Sequence, residues 1–491
     1  MRQLRRASPF KGDVSPTRVS LLGRGRPSLP FPHWWNYRQP IRILQTFWVG
    51  AGKEEGSGRH NRFLELPGLP PVLVTREPAV IKAVLADTGD RPGQFDRDTL
   101  PAIGIGRATG EDSMLYANGP LWRRQKKLAA PAFTHSTLFQ PERFGEFEET
   151  FRHTVRQRLE ALRKRQRDTG QFVTRTDLEP EISILMLEML VNNFFGGEVR
   201  FEQLRDRYVP ALARLIDDMV TDTMRPAAVS ALARRREALV RARLDFEELT
   251  DIALSGRTTG RALWSQFKSD APDEKLRSNL RVFLAGALEA TTSFASWTIS
   301  HLARAPEIQE RIYEETKEID CYDPENLGQA KTLKLALEET LRLTPSLYFL
   351  PRRAAVDTWV ETDDGRTLWI PAGTHIVLDV WHANRCEDFW GERLSGYPAD
   401  RFAPDRWNVL AERGRSPKEI LHFGFGYGPR VCPGRSLGLL EVALVVGAFV
   451  KLFRFSGVAG SVGPRAGVST KPDDGVVVDL ELREEIPGAG A

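Results

Sequence analysis

Phe425-Gly426-Tyr427-Gly428-Pro429-Arg430-Val431-Cys432-Pro433-Gly434 sets three glycines and two prolines around one thiol and one arginine. Glycine lets a backbone turn through positive φ and approach a flat ligand closely. Proline stiffens the flanks and removes N–H donors. The stretch reads as a rigid cradle for a sulfur atom. It is followed by Arg435-Ser436-Leu437-Gly438-Leu439-Leu440-Glu441-Val442-Ala443-Leu444, an apolar helical pattern. The N-terminus of that helix would lie at the thiol and favour its anionic form, so a thiolate is expected at Cys432.

No second cysteine lies near Cys432, which excludes a zinc knuckle and a C-x-x-C redox pair and leaves heme iron as the economical ligand. The pattern Phe425-x-x-Gly428-x-Arg430-x-Cys432-x-Gly434 resembles the heme-binding signature of the cytochrome P-450 superfamily at all five diagnostic positions. The resemblance implies heme b (iron protoporphyrin IX) with Cys432 as the axial thiolate on iron, the ligand class that favours O–O cleavage. Phe425, Arg430 and Gly434 are then cofactor contacts.

Other motifs follow in the family's order. Glu339-Thr340-Leu341-Arg342 lies in the helical pattern Leu333 to Leu343, where a three-residue offset puts acid and guanidinium on one face. Phe402-Ala403-Pro404-Asp405-Arg406-Trp407 resembles the family's arginine-bearing segment. The resemblance implies a buried structural network of Glu339, Arg342 and Arg406. Trp122-Arg123-Arg124-Gln125-Lys126-Lys127 resembles W-x-x-x-R with lysine in the last place, which assigns Trp122, Lys126, Arg352 and Arg430 to the heme propionates. Arg353 competes with Arg352 for that role. Arg123, Arg124, Lys127 and Arg435 would surround the thiolate side and attract an acidic electron-transfer partner.

A long helical pattern, Asp273 to Arg304, is bounded by Pro272 and Pro306 and would run on the order of 45 Å. It carries Phe283-Leu284-Ala285-Gly286-Ala287-Leu288-Glu289-Ala290-Thr291-Thr292-Ser293. The family usually has an acid directly followed by an alcohol here. The register that keeps Trp297 at its customary spacing makes Glu289 the acid and puts Ala290 at the alcohol position. The other register aligns Thr291 with the alcohol. Glu289, Thr291 and Thr292 are the candidate proton-relay residues. Ala287, Leu347, Tyr348 and Phe349 are the expected substrate-pocket residues, an apolar set.

The 491 residues hold 41% hydrophobic and 27% charged residues, the composition of an ordinary globular protein. A net charge of +4 is too weak to argue for nucleic acid. Cys321, Cys386 and Cys432 are too few and too scattered for a disulfide framework. No stretch approaches the roughly 20 apolar residues of a membrane span. Residues 1–60 read as a basic N-terminal arm and an aromatic lead-in with Trp34, Trp35, Phe47 and Trp48, before one domain over 61–491. The arm has the composition of either a transit peptide or a plain basic extension. A cytoplasmic protein is expected, with organelle targeting or peripheral membrane contact as the alternative. Histidine spacing offers no metal motif, His422 reads as a packing residue, and Gly104-Ile105-Gly106 lacks the third glycine of a dinucleotide loop.

The resemblance implies a mainly α fold with a small β region: a triangular helical prism with heme between the long helix and the cysteine loop. It implies monooxygenation, in which one atom of O2 enters an apolar small molecule, with electrons from a separate ferredoxin, flavodoxin or reductase. The altered Glu289-Ala290-Thr291 stretch prompts an alternative, peroxide-driven oxidation or rearrangement. A non-catalytic heme sensor or carrier is a third reading.

Overall fold

The computed structural model of the chain describes residues 40–48, 59–64, 70–89, 93–129, 133, 141–224, 227–256, 273–415 and 422–483. Most of the basic arm, with Trp34 and Trp35, lies outside them. The described residues are mainly helical with a small β region, as the motif order implied.

The spine is the helix Asp273–Leu302, two residues shorter than expected. Against it pack the helices Glu179–Glu188, Lys331–Leu343 and Arg435–Leu452. The cysteine helix, Arg435–Leu452, is apolar nearly all round because it is enclosed nearly all round. Val442, Leu444, Val445, Val446, Phe449 and Val450 are all buried in the main core. That core also takes Leu284, Leu288, Ala295 and Ile299 from the spine, and Leu333, Ala336, Leu337 and Leu341 from the helix bearing Glu339.

Five strands form the larger sheet: β1 (Asn61–Leu64), β2 (Val72–Thr75), β3 (Phe95–Arg97), β5 (Leu350–Ala354) and β8 (His375–Leu378), in the order β1-β2-β8-β5-β3. Only β2 and β8 run parallel within it. The register of β3 on β5 puts Arg97 directly opposite Arg352. Between these elements in sequence lies β4 (Val173–Asp177), which pairs with β12 (Val477–Leu482), itself paired with β9 (Phe453–Gly457). Two hairpins complete the β structure, β6 (Thr358–Glu361) with β7 (Thr367–Ile370) and β10 (Pro464–Ala466) with β11 (Thr470–Pro472).

β4 is a polar edge strand, held by pairing with β12. The helix Glu179–Glu188 passes into a π-helical turn at Met189–Phe194. β8 ends at Leu378, and the chain turns into the short helix Val380–Ala383.

The helix Pro40–Thr46 and the residues after it pack on the body. Phe47 and Trp48 are buried beside Leu64, Val74 and Trp381, and Trp48 Nε1 donates to Asp379 at 2.7 Å. Among the described residues no helix is long and apolar enough to cross a membrane.

Candidate active site

The Cys432 loop is shaped by its glycines. Gly426 and Gly428 have φ of 75° and 71°. At Gly428 a Cβ would also lie 2.5 Å from the Leu85 carbonyl oxygen, so the loop seats against the end of the helix Pro78–Ala86 only without a side chain there. Phe423, with φ 55°, holds a left-handed conformation that costs a non-glycine residue energy. Cys432 N–H donates to the Phe425 carbonyl at 2.9 Å, and Lys126 Nζ donates to that of Pro429 at 2.9 Å. Lys126 thus clamps the loop's backbone.

The Cys432 side chain is accessible, although the surrounding protein is deep enough for burial to push its thiol up to about 11. The Gly434 backbone and the Arg435 guanidinium pull it down only in part. A cation on the sulfur would favour the anion.

Facing this loop is one side of the spine helix. Gly286 and Ala290 are exposed and Ala287 and Thr291 half-exposed, although Leu284, Leu288 and Ala295 beside them are buried. Helical periodicity puts residues 286, 287, 290 and 294 on one side, and Phe294 there meets the Phe425 ring edge-on at 6.5 Å. Gly286 has nothing within 4 Å of where a Cβ would be.

Of the three candidate relay residues, only Thr291 borders that face, and its Oγ1 donates to the Ala287 carbonyl at 2.8 Å. Glu289, two residues earlier, lies about 160° round the helix from Thr291. Its carboxylate accepts from Ser469 Oγ at 2.7 Å and from Lys471 Nζ at 2.9 Å. Thr292 is buried on the opposite side. Of the expected pocket residues, Ala287 and Leu347 are accessible and Phe349 is half-buried. Tyr348 is a correction. It is buried in the cluster with Ile41, Leu44 and Trp297, and its hydroxyl donates to the Gly467 carbonyl at 3.4 Å.

The basic residues fall into two groups. Arg123, Arg124, Lys127 and Arg435 are exposed, as is Arg353. Arg352 is buried, donating to Thr88 Oγ1 at 3.2 Å and to its neighbour's carbonyl at 2.8 Å. Arg430 donates to the Ala117 carbonyl at 2.7 Å and Asn118 Oδ1 at 2.8 Å, and stacks on Trp122 at 4.5 Å. Its Nε and Nη1 are buried without a partner among the described residues, as is Nε of Arg97. Burial lowers all three guanidiniums, Arg97 to about 10 and Arg430 to about 9, and Arg97 adds repulsion to both of the others. No carboxylate among the described residues bonds any of them. Arg97 was missed in the sequence, because only the β3–β5 register brings it to Arg352.

Glu339, Arg342 and Arg406 come together fully buried. Arg342 pairs with Glu339 through two hydrogen bonds of 2.9 and 2.8 Å, and Arg406 Nε adds a third at 3.1 Å. The remaining guanidinium donors reach backbone carbonyls, including Asn384, Ala399 and Pro398. His422 bonds Glu338 at 3.0 Å, a packing role.

Two further features bear on metal and charge. His60, Cys386 and Asp388 bring one ligand atom each within 4.8 Å, close enough to hold a metal ion. Arg76 donates to His60 Nδ1 at 3.3 Å and Arg59 pairs with Asp388 at 2.9 Å, so the group's surroundings are cationic. In the cysteine helix, Glu441 is enclosed and burial raises it to about 8. Folding thus favours its protonated form, and the stability this contributes below about 4.5 is lost as pH rises through about 8. Glu441→Gln is expected to match the parent in urea at the acid end and to exceed it above the raised value.

A family model described as Cytochrome P450 matches residues 63–465. Cytokinin hydroxylase of Arabidopsis thaliana is 25% identical over 466 residues, covering 89% of this chain and 84% of that protein. 11-oxo-beta-amyrin 30-oxidase of Medicago truncatula is 23% identical over 425 residues, 81% and 75% of the two chains. Cytochrome P450 4F12 of Homo sapiens is 24% identical over 439 residues, 78% and 75%. With the family model matching residues 63–465 of its 491, the chain belongs to the cytochrome P450 family and is an oxidoreductase of the monooxygenase type.

Proposed function

We propose that the chain holds heme b on Cys432 and inserts one atom of O2 into an apolar small molecule, using electrons from a separate protein. The observation that carries this reading is the accessible Cys432 thiol in a loop that also bears Arg430, with Arg97, Arg352 and Arg430 bonded by no carboxylate among the described residues. A planar iron ligand with two carboxylates fits that donor set. Its iron would hold the sulfur as thiolate, and its propionates would supply the anions that Arg97, Arg352 and Arg430 lack. When bound, heme supplies the dioxygen chemistry.

The chain's own residues bind and orient. Lys126 fixes the loop at Pro429, Phe425 packs the loop against Phe294, and the Gly286–Ala290 face gives room opposite the sulfur. Ala287, Leu347 and Phe349 offer apolar surface to a substrate. Thr291 is the hydroxyl nearest that face, and Glu289 lies nearly opposite it round the helix, on Ser469 and Lys471. They do not touch, so a proton passing between them needs a water or a turn of the Glu289 side chain. The exposed Arg123, Arg124, Lys127 and Arg435 suit an acidic ferredoxin, flavodoxin or reductase. Relatives named for oxidising cytokinin and a beta-amyrin derivative are consistent with a small-molecule substrate.

The test is turnover under labelled dioxygen with a reductase system: one labelled atom in the product is expected. Product formed from peroxide alone, without label from O2, would favour the second reading, which the alanine at position 290 supports. A further prediction concerns Arg97. Arg97→Leu should stabilise the protein prepared without heme, because it removes a repelled buried charge. It should also weaken heme retention about tenfold, the loss of one charge-assisted hydrogen bond. Hemin titration and thermal melts read the two effects separately, and equal affinity for both proteins would remove Arg97 from the site.

A further inference from the structure

The hairpin of β10 and β11 is held to the spine helix by polar side chains. Glu289, on the spine, takes Ser469 Oγ on one carboxylate oxygen at 2.7 Å and Lys471 Nζ on the other at 2.9 Å. Both charged side chains are largely enclosed, with Glu289 10% and Lys471 15% exposed. Lys471 also lies 3.7 Å from Glu179, whose two oxygens take Arg465 at 2.6 and 2.7 Å. A chain of alternating charge, Arg465–Glu179–Lys471–Glu289, therefore ties the hairpin to the helix Glu179–Glu188 and to the spine.

Between Ser469 and Lys471, Thr470 is fully buried and bonded at each polar atom. Its carbonyl accepts from Ser293 Oγ at 2.6 Å, and its hydroxyl accepts from Trp297 Nε1 at 3.1 Å, both on the spine. The same hydroxyl donates to the Pro345 carbonyl at 3.0 Å, and the Thr470 N–H donates to that of Ser346 at 2.9 Å. Towards the turn of the hairpin, the Gly467 carbonyl takes the Tyr348 hydroxyl. Tyr348 stands between Leu347 and Phe349, the two residues of this segment that offer apolar surface to a substrate. The hairpin thus fixes the segment 345–349 against the spine.

We infer that Glu289 and Lys471 are positioning residues for the substrate. Their enclosed pair locks the hairpin, and the hairpin holds Leu347 and Phe349 at the distance from the spine that shapes the pocket. Breaking such a pair from one side leaves a charge without its partner, which makes the lock costly to open. Sequence spacing makes Glu289 a relay candidate, yet both of its oxygens are taken and it lies nearly opposite Thr291 round the helix. The inference rests on the heme reading for where the substrate lies, while the lock itself does not.

The test uses the full heme-loaded chain and two readouts that need no turnover. Hydrogen exchange at the Thr470 amide reads the seat of the hairpin. It is expected to quicken about thirtyfold in Lys471→Met and in Glu289→Gln, the loss of one charge-assisted hydrogen bond. Binding of 4-phenylimidazole, followed by the shift of the heme band, reads the pocket, with imidazole as the control that reaches iron alone. Affinity for 4-phenylimidazole should fall about tenfold in both variants, and that for imidazole should stay the same. Lys471→Arg keeps the charge and should return both readouts to the parent's values. The double variant should be no worse than either single one, because the two residues act as one pair. An unchanged heme spectrum checks that each variant is folded. Parent-like exchange and parent-like 4-phenylimidazole affinity in both single variants would overturn the inference. So would faster exchange with that affinity unchanged, which would make the pair a structural tie only. The exchange arm needs no heme. A parent that takes up no heme, or shows no shift with imidazole, would therefore count against the heme reading, while faster exchange in the variants would still uphold the lock.

Discussion

Glu339→Ala is expected to abolish most of the soluble, heme-loaded yield, and Arg342→Ala to do the same. Glu339 is the only acid among three fully buried charges, and its two oxygens take both guanidiniums and the Ala403 N–H. Removing it leaves Arg342 and Arg406 uncompensated in the interior, at a cost of about 3–5 kcal/mol. That is comparable with the whole margin by which many domains stay folded. The damage would spread to the segment leading into the cysteine loop, because Arg342 and Arg406 also hold the carbonyls of Asn384, Trp390, Pro398 and Ala399. The exposed pair Arg175 and Asp479 is the control; Arg175→Ala should leave the yield unchanged. Normal yield and full heme occupancy in Glu339→Ala would show that these carbonyls hold the segment without the acid.

Cys432→Ser is expected to keep the fold and lose the activity. Its sulfur is accessible and its place in the loop depends on backbone contacts, the Cys432 N–H to Phe425 and the glycine turns. Serine can keep those contacts, so melting of protein prepared without heme should barely change. A serine hydroxyl is a far weaker acid and a harder ligand than a thiol, so iron binding and monooxygenation should be lost together. A large drop in the melting temperature would mean that the side chain supports the loop as well.

Legibility in the sequence followed distance along the chain. The cysteine loop, the Glu339–Arg342 offset and the long helix are local patterns, and local spacing is enough to read them. Arg406 was found through the segment around it. Arg97 was not legible, because its importance comes from facing Arg352 across two strands far apart in sequence. Tyr348 was misread because its burial comes from the helix Pro40–Thr46, which is distant in sequence. Thr292 is buried on the other side of the spine helix, a placement that the Thr-Thr pair does not reveal by itself.

The account rests on Cys432 as the axial ligand, and the reduced carbon monoxide spectrum of three single variants tests it most directly. Cys321→Ser and Cys386→Ser should keep the thiolate-ligated band of the parent, while Cys432→Ser should lack it. A band that survives in Cys432→Ser and disappears in Cys386→Ser would contradict the account, and would move the metal to the group formed by Cys386, His60 and Asp388.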